Sequence, residues 1–190
     1  MSLAVSACPR LISLLQEFYP GDGGDAPLEV ITVLPEAMTQ PERSLLVHDR
    51  DMTSTLTRHH GDTLRLDVLD RRLTDERLAR HIVLRAVGDD SPVEYGAIRI
   101  DLRRLDESVR KEIVAGKRPL GGILNEHQVG YKSCPGGFFQ ILATPLMCDV
   151  LQLNESDWLF GRCNCLSTAD GHAIAEVVEI LPPGNQKSDT

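Results

Sequence analysis

The chain has 190 residues, of which 42% are hydrophobic and 25% are charged, and its formal net charge is −8. This length is enough for one domain with a substantial core, and the composition is that of an ordinary globular protein. The negative charge argues against nucleic acid and anionic membranes as partners, because their phosphates would be repelled. Any site for an anion must therefore be a local pocket that holds arginine or lysine.

The cysteines and the first residues bear on where the protein works. The five cysteines are odd in number and irregular in spacing, which favours reduced thiols over a disulfide framework. Residues 1–19 lack the basic start and long apolar core of a signal peptide, and no run is long enough to span a bilayer. We therefore expect a soluble, cytoplasmic protein that is a monomer or a small homo-oligomer.

Residues 1–40 are predicted to be an N-terminal extension. They hold an amphipathic helix from Cys8 to Tyr19, followed by a flexible loop over 20–25 in which proline, glycine and aspartate cluster. The main domain is predicted to span residues 41–183. The polar residues 184–190 are then expected to form a disordered tail.

A helix and three strands are predicted in the first half of the domain. Asp51 is a suitable N-cap for a helix that ends near Gly61. Apolar and polar residues alternate from 63 to 69, which is typical of a half-buried strand. A turn rich in glycine, aspartate, serine and proline separates two further strands, so we predict an antiparallel hairpin over 80–87 and 93–100.

The second half of the domain begins with helices and ends with strands. A helix over 105–115 ends at Gly116, and a second short helix is predicted over 120–127. Two final strands are predicted over 158–167 and 173–181. Strands, then helices, then strands predict an α+β fold with an antiparallel sheet and helices on one face.

Arg80 begins an apolar strand and shares a strand face with Ile82 and Leu84. An inward arginine needs a partner, because a buried charge without one is costly. Its planar guanidinium suits a carboxylate, which it can bind through two hydrogen bonds. The alternative is an arginine at the strand edge that points into solvent, which is the commoner position for this residue type.

The last strand offers two glutamates on opposite faces. Glu179 shares its face with Val177 and Leu181, whereas Glu176 shares the other with Val178. Strand alternation alone does not choose between the two carboxylates. A glutamate on an apolar face can serve as an acid, a base or a hydrogen-bond partner, and the alternative is an exposed glutamate at the sheet edge.

Two further segments could meet an anion. Residues 116–121, which include Lys117, Leu120 and Gly121, form a tight turn into a helix whose N–H groups could receive an anion. Glycine-rich turns are also common connectors, and this one does not have the spacing of a P-loop. Arg162, on the penultimate strand, could hold a second carboxylate or lie at the surface.

The usual catalytic and metal motifs are missing from the sequence. Cys163 and Cys165 share one strand face, but a zinc site needs a second pair. The tandem pair His59-His60 is explained as polar residues at a helix end. No nucleophile elbow, zinc-protease motif or dinucleotide fingerprint occurs. A nucleophilic, zinc or nicotinamide mechanism therefore has no support in the sequence.

Short signatures nevertheless occur in a fixed order over roughly 130 residues. They are Asp51-Met52-Thr53, the strand that carries Arg80, Gly116-Lys117-Arg118-Pro119-Leu120-Gly121, Gly161-Arg162, and Glu179 just before Leu181-Pro182. In this order they resemble chorismate pyruvate-lyase, the enzyme that makes 4-hydroxybenzoate and pyruvate from chorismate. The resemblance covers residues 41–183. It implies an antiparallel sheet of about six strands with helical flaps over an internal, closed pocket, and no metal or cofactor.

The resemblance also implies roles for residues of this chain. Arg80 would hold the ring carboxylate of the substrate, and Glu179 would lie at the far end, by the product hydroxyl, and handle a proton. The other substrate-binding positions implied by the resemblance are Met52, Leu120, Gly121, Arg162 and Lys117. The family carries a substrate-binding arginine where this chain has Ala97, and Arg99, two residues on, is the candidate substitute.

The functional prediction from this resemblance is a lyase that releases pyruvate from chorismate, as in quinone biosynthesis. One alternative is a lyase that acts on a related enolpyruvyl substrate. The other is a non-catalytic module of the same fold that binds a small aromatic carboxylate, related to the effector-binding domains of GntR-type transcription regulators. The lyase prediction requires that Arg80 and Glu179 converge on one closed cavity.

Overall fold

The computed structural model describes residues 8–19 and 28–184, with side chains from residue 12 in the first segment. The described residues form six α-helices, one 3₁₀ helix at Pro35–Ala37 and seven strands. In chain order the helices and strands are α1 (Cys8–Gln16), β1 (Val30–Val33), α2 (Glu42–Leu46), α3 (Met52–His60), β2 (Leu64–Leu73), β3 (Arg77–Ala86), β4 (Pro92–Asp101), α4 (Glu107–Ala115), α5 (Leu120–Glu126), β5 (Lys132–Leu142), α6 (Pro145–Leu151), β6 (Trp158–Ser167) and β7 (Ala173–Ile180).

The strands form one antiparallel sheet in the order β1-β5-β6-β7-β4-β3-β2. The predicted α+β class with an antiparallel sheet is confirmed. The sheet has seven strands because Val30–Val33, within the segment predicted as an extension, pairs with β5. These four residues are β-branched, which suits a sheet edge.

Helices cover both faces of the sheet. Helices α2 to α5 lie on one face, as predicted, and their apolar side chains pack on strand residues such as Ile82 and Ile98. Helices α1 and α6 cover the opposite face, where Leu14 and Leu15 are buried with strand residues such as Val83. Because successive strand residues point to opposite faces, Ile82 and Val83 enter different cores.

The predicted start and end of α3 and the predicted end of α4 are confirmed by their caps. The Asp51 side chain accepts a hydrogen bond from the Ser54 N–H at 2.7 Å and so caps α3. Gly61 and Gly116 have φ of +68° and +65° and end α3 and α4 in the left-handed conformation that glycine adopts at little cost.

Some sequence predictions fall outside the described residues, namely the flexible loop over 20–25 and all of the predicted tail beyond Gly184. Within the two described segments, each helix is too short or too polar to cross a membrane.

Candidate functional site

A small cavity lies between the central strands and the helices α3 and α5. Its volume is about 50 Å³. Its apolar walls come from both layers and include Met52, Leu66, Ile82, Leu84, Ile98 and Leu120. Its polar lining consists of Asp51, Thr53, Arg80, Glu94, Asn164 and Glu179. Arg80 and Glu179, which come from strands that are not neighbours in the sheet, therefore both line one cavity.

Within residues 8–19 and 28–184, Arg80 is a buried cation without an anionic partner. It points to the cavity face of β3 beside Ile82, and only 2% of its surface is exposed. Its Nη1 donates to the Ile113 carbonyl at 3.3 Å, whereas its Nε is buried with no hydrogen-bond partner. Burial lowers the pKa of Arg80 to about 10, so the guanidinium stays charged at neutral pH.

Arg162, in contrast, is fully partnered by protein groups. It is completely buried behind Glu179, and its Nε donates to the Glu179 carboxylate. Its Nη1 donates to the carbonyls of Leu46 and His48, each at 3.1 Å, and its Nη2 to the Arg50 carbonyl at 3.4 Å. This arginine therefore joins β7 to the loop before α3, and its charge is balanced inside the protein.

The ring of His48 completes this network as a neutral acceptor and donor. Its Nε2 faces the Leu45 carbonyl at 2.7 Å, and its Nδ1 faces Arg162 Nη1 at 3.3 Å. Because the arginine can only donate, Nδ1 accepts and Nε2 carries the proton. Burial, and then the charge of Arg162, lower the pKa of His48, which agrees with a neutral ring.

The sequence reasoning missed two polar residues of the cavity, Glu94 and Asn164. Glu94 lies in β4, is 3% exposed, and has one carboxyl oxygen, Oε2, that is buried without a partner. Burial raises the pKa of Glu94 well above its usual range, the charge of Glu179 adds to the rise, and Arg162 offsets it in part. Asn164 is held by Ser133, whose Oγ it meets at 3.0 Å. The available signal for Glu94 was its place on the same strand face as Ile98.

Helices α3 and α5, which we call the flap helices, meet closely over the cavity at Gly121. A Cβ at this position would lie 3.1 Å from Asp51 Oδ1 and 3.2 Å from Thr53 Oγ1. Glycine therefore lets the start of α5 approach the start of α3, with Met52 and Leu120 on the cavity wall. These three residues were predicted as substrate-binding positions, and the structure places all of them at the cavity.

Other predicted site residues lie elsewhere. Arg99 points away from the cavity, to the opposite face of the sheet, where it pairs with Glu176 at 3.2 Å and with Glu17. Lys117 is exposed in the turn before α5 and does not line the cavity. In the described part of the chain no group of histidine, cysteine, aspartate or glutamate is arranged to hold a metal ion.

Comparison with known proteins gives a fold but no sequence family. No protein-family model matches the chain, and no curated protein does. Among solved structures, PhnF from Mycobacterium smegmatis has a TM-score of 0.56 at 12% identity, over 72% of this chain and 65% of that one. The match thus spans less than two thirds of PhnF. At this identity the likeness concerns the fold.

Two further solved structures match with TM-scores below 0.5. A ligand-binding domain assigned to a GntR-family transcriptional regulator from Bordetella bronchiseptica has a TM-score of 0.45 at 13% identity, over 63% of this chain and 86% of that one. The C-terminal domain of the histidine utilization repressor from Pseudomonas syringae has 0.42 at 12% identity, over 63% and 92%. The predicted chorismate lyase-like fold is supported by the likeness to PhnF, whose TM-score is 0.56.

The prediction of an enzyme, a chorismate pyruvate-lyase, is contradicted by this comparison, because the matched solved structures include a ligand-binding domain assigned to a GntR-family transcriptional regulator and the C-terminal domain of a repressor. The charges of the cavity agree with the correction. Chorismate carries two carboxylates, and Arg80 is the one arginine that lines the cavity in the described chain. Arg162 is neutralised by Glu179, and Arg99 lies on the other face.

Proposed function

We propose that this chain is a non-catalytic module that binds a small organic anion, of the aromatic carboxylate class, in the cavity beneath α3 and α5. The observation that carries the proposal is Arg80, a cation that is 2% exposed, lines the cavity and has no carboxylate partner in the described chain. A buried charge of this kind costs free energy until a counter-ion reaches it. A ligand carboxylate would supply that counter-ion.

The lining of the cavity supports an apolar body for the ligand. The walls around Arg80 are aliphatic or thioether side chains, such as Met52, Ile82 and Leu120. Small-molecule sites commonly combine such walls with a few convergent polar groups. A flat ring with one carboxylate satisfies both parts of this site, with the carboxylate on Arg80 and the ring between the sheet and α3.

The cavity must enlarge to accept a ring. Its volume is about 50 Å³, whereas a cavity of about 150 Å³ accommodates benzene. The flap helices α3 and α5 are the layer that can move, because the central strands β3, β4, β7 and β6 beneath them are hydrogen-bonded on both sides. Binding is therefore expected to be coupled to outward movement of these helices, and the bound state to be more stable against unfolding.

The test compares two arginines that face each other across β2 and β3. Arg71 lies opposite Arg80 in the strand register and donates to the Val114 carbonyl at 3.3 Å, but it is exposed. We expect benzoate to bind the wild-type protein saturably in calorimetry, and Arg80→Met to weaken binding at least tenfold. Arg71→Met is expected to leave the affinity within twofold, since its charge is solvated.

Neutral benzamide and inorganic phosphate serve as ligand controls. Benzamide keeps the ring without the charge, and phosphate keeps a charge without the ring, so neither is expected to match benzoate. Equal binding of benzoate by Arg80→Met and wild type would overturn the proposal. So would the absence of any saturable binding of benzoate and its para-substituted derivatives by the wild-type protein.

A further inference from the structure

Glu94 lies at the end of the cavity away from Arg80. In the register of β3 and β4, Glu94 is opposite Leu84, four residues beyond Arg80 on the same strand face. At about 3.3 Å per residue, this separation is about 13 Å along the strands. The two groups are thus at opposite ends of one cavity, with Ile82 and Leu84 lining it between them.

Two carboxyl groups, those of Glu94 and Glu179, lie at this end of the cavity, and Arg162 pairs with Glu179. Glu179 faces Gly96 in the register of β4 and β7, so Glu94 is its diagonal neighbour. The Arg162 Nε donates to Glu179, and the other donors of Arg162 are directed to the carbonyls of the loop before α3. Among the described residues none forms a salt bridge with Glu94, and its Oε2 is buried without a partner there. Because the arginine at this end pairs with Glu179, we expect Glu94 to carry a proton.

The other charged groups around Glu94 do not change this balance. Its pKa is raised by burial and by the Glu179 charge, and Arg162 opposes the rise only in part. The ionisable groups that face this space come from every layer around it. They are Glu179 of β7, Arg162 of β6, Arg80 of β3, and, from the loop and cap before α3, His48 and Asp51.

We propose that Glu94 is a specificity-determining residue, whose protonated carboxyl donates a hydrogen bond to an acceptor oxygen on the ligand. The inference rests on the proposed function and narrows its ligand class. The ligand would be a monoanion with its carboxylate on Arg80, an apolar body over Ile82, and a carbonyl, ether or phenolic oxygen at the opposite end. The unpartnered Oε2 of Glu94 is the polar atom that such an oxygen would satisfy.

The test uses two ligands of matched shape, 4-acetylbenzoate and 4-isopropylbenzoate, of which only the first has an acceptor oxygen. The measured quantity is the ratio of their dissociation constants in wild type, Glu94→Gln and Glu94→Met. We expect Glu94→Met to lower the preference for the acetyl compound at least tenfold. Glu94→Gln is expected to keep it, because the amide also donates a hydrogen bond.

A pH series separates this role from a merely structural one. Both ligands are ionised from pH 5.5 upward, so their own charge stays constant. In wild type the preference for the acetyl compound should decline as pH rises and Glu94 loses its proton, whereas in Glu94→Gln it should stay level. A structural effect would weaken both ligands equally and leave the ratio unchanged.

The outcomes distinguish the two proposals. If both ligands bind and require Arg80, but the ratio is the same in wild type and Glu94→Met, the role of Glu94 is refuted and the proposed function stands. If neither ligand binds the wild-type protein, the proposed function fails and the role of Glu94 fails with it. If Glu94→Met does not fold, the pH series on wild type and Glu94→Gln decides the question.

Discussion

Arg80 and His81 are neighbours in β3, yet their side chains enter opposite faces of the sheet and meet very different surroundings. On the α1 face, His81 Nε2 meets the Tyr95 hydroxyl at 2.6 Å, and the Phe18 ring stacks on the imidazole with centroids 5.3 Å apart. The Tyr95 hydroxyl also bonds to that of Tyr19. On the cavity face, Arg80 has a single carbonyl partner and a buried, unpaired Nε.

The same contrast recurs one strand away, at Glu94 and Tyr95. Both are buried, but Tyr95 belongs to the hydrogen-bonded network under α1, whereas Glu94 leaves Oε2 unpaired in the cavity. Burial of polar groups is therefore not what distinguishes a site from a core in this molecule. For these two pairs of neighbours, the difference is whether the buried donors and acceptors already have partners in the described protein.

The largest expected effect comes from removing a charge that does have a partner. Arg162→Met would leave the Glu179 carboxylate buried and unpaired, and would free the carbonyls of the loop before α3. We expect the free energy of unfolding to fall by about 3–5 kcal/mol. Urea denaturation measures this loss.

Arg80→Met is the matched comparison for Arg162→Met. The fall in the pKa of Arg80 to about 10, which burial causes, corresponds to roughly 3 kcal/mol against the folded state at every pH below about 10. Removal of this charge is therefore expected to leave the free energy of unfolding unchanged or to raise it by up to that amount. Similar destabilisation by the two substitutions would break the comparison.

The two faces should also respond to pH with opposite signs. Burial lowers the pKa of His81 to about 4, against an ordinary value of 6.5. The unfolded chain therefore binds the proton more tightly, and stability is lost as pH falls from 6.5 towards 4, by up to roughly 3 kcal/mol. His81→Phe should remove this acid-dependent loss, and His59→Phe, an exposed control, should keep it in urea titrations at each pH.

On the cavity face, Glu94 gives the free energy of unfolding the opposite pH dependence. Its raised pKa means that the folded state binds the proton more tightly, so stability is fully present below the ordinary range of glutamate and declines as pH rises above it. Glu94→Gln cannot lose a proton, and its unfolding free energy should decline less between pH 5 and pH 8.5 than that of wild type. An equal decline in both proteins would contradict a proton on Glu94.

The smallest effect concerns the contact between the flap helices, where α5 offers two adjacent glycines. Gly122 has open space around it, so Gly122→Ala should stabilise α5 by about 1 kcal/mol. Gly121→Ala would place its Cβ 3.1 Å from Asp51 Oδ1. Gly121→Ala should therefore lose most of the stabilisation expected of Gly122→Ala. It should also speed the release of benzoate in stopped-flow measurements. Identical behaviour of the two variants would mean that the contact does not hold the flaps closed.

Much of the cavity face could be predicted from local sequence. Strand alternation placed Arg80 with Ile82 and Leu84, and the cap residues fixed the start and end of α3. The choice of Glu179 over Glu176 came from the family resemblance and agrees with the cavity lining. Glu94 was missed because a lone glutamate in a strand is usually exposed, and its burial depends on β7 and on helices distant in sequence.

The pairing of charges could not be predicted, because the partners are distant along the chain. Arg162 was assigned to a ligand carboxylate, but Glu179 takes that place from the neighbouring strand, and the Leu46 carbonyl comes from 116 residues away. The second helical face was missed for the same reason, since Tyr19 and Tyr95 are 76 residues apart. A signature of residue types records that an arginine and a glutamate are present, but not that they bind each other.

The order of the strands divides the sheet into two local meanders, β2-β3-β4 and β5-β6-β7, which join only where β4 pairs with β7. Arg80 and Glu94 come from the first meander, and Arg162 and Glu179 come from the second. The β4–β7 seam requires loop closure over a long stretch of chain, so its formation is expected to be the slow step of folding. The cavity does not exist until the β4–β7 seam forms. A ligand that contacts residues of both meanders would therefore stabilise their pairing.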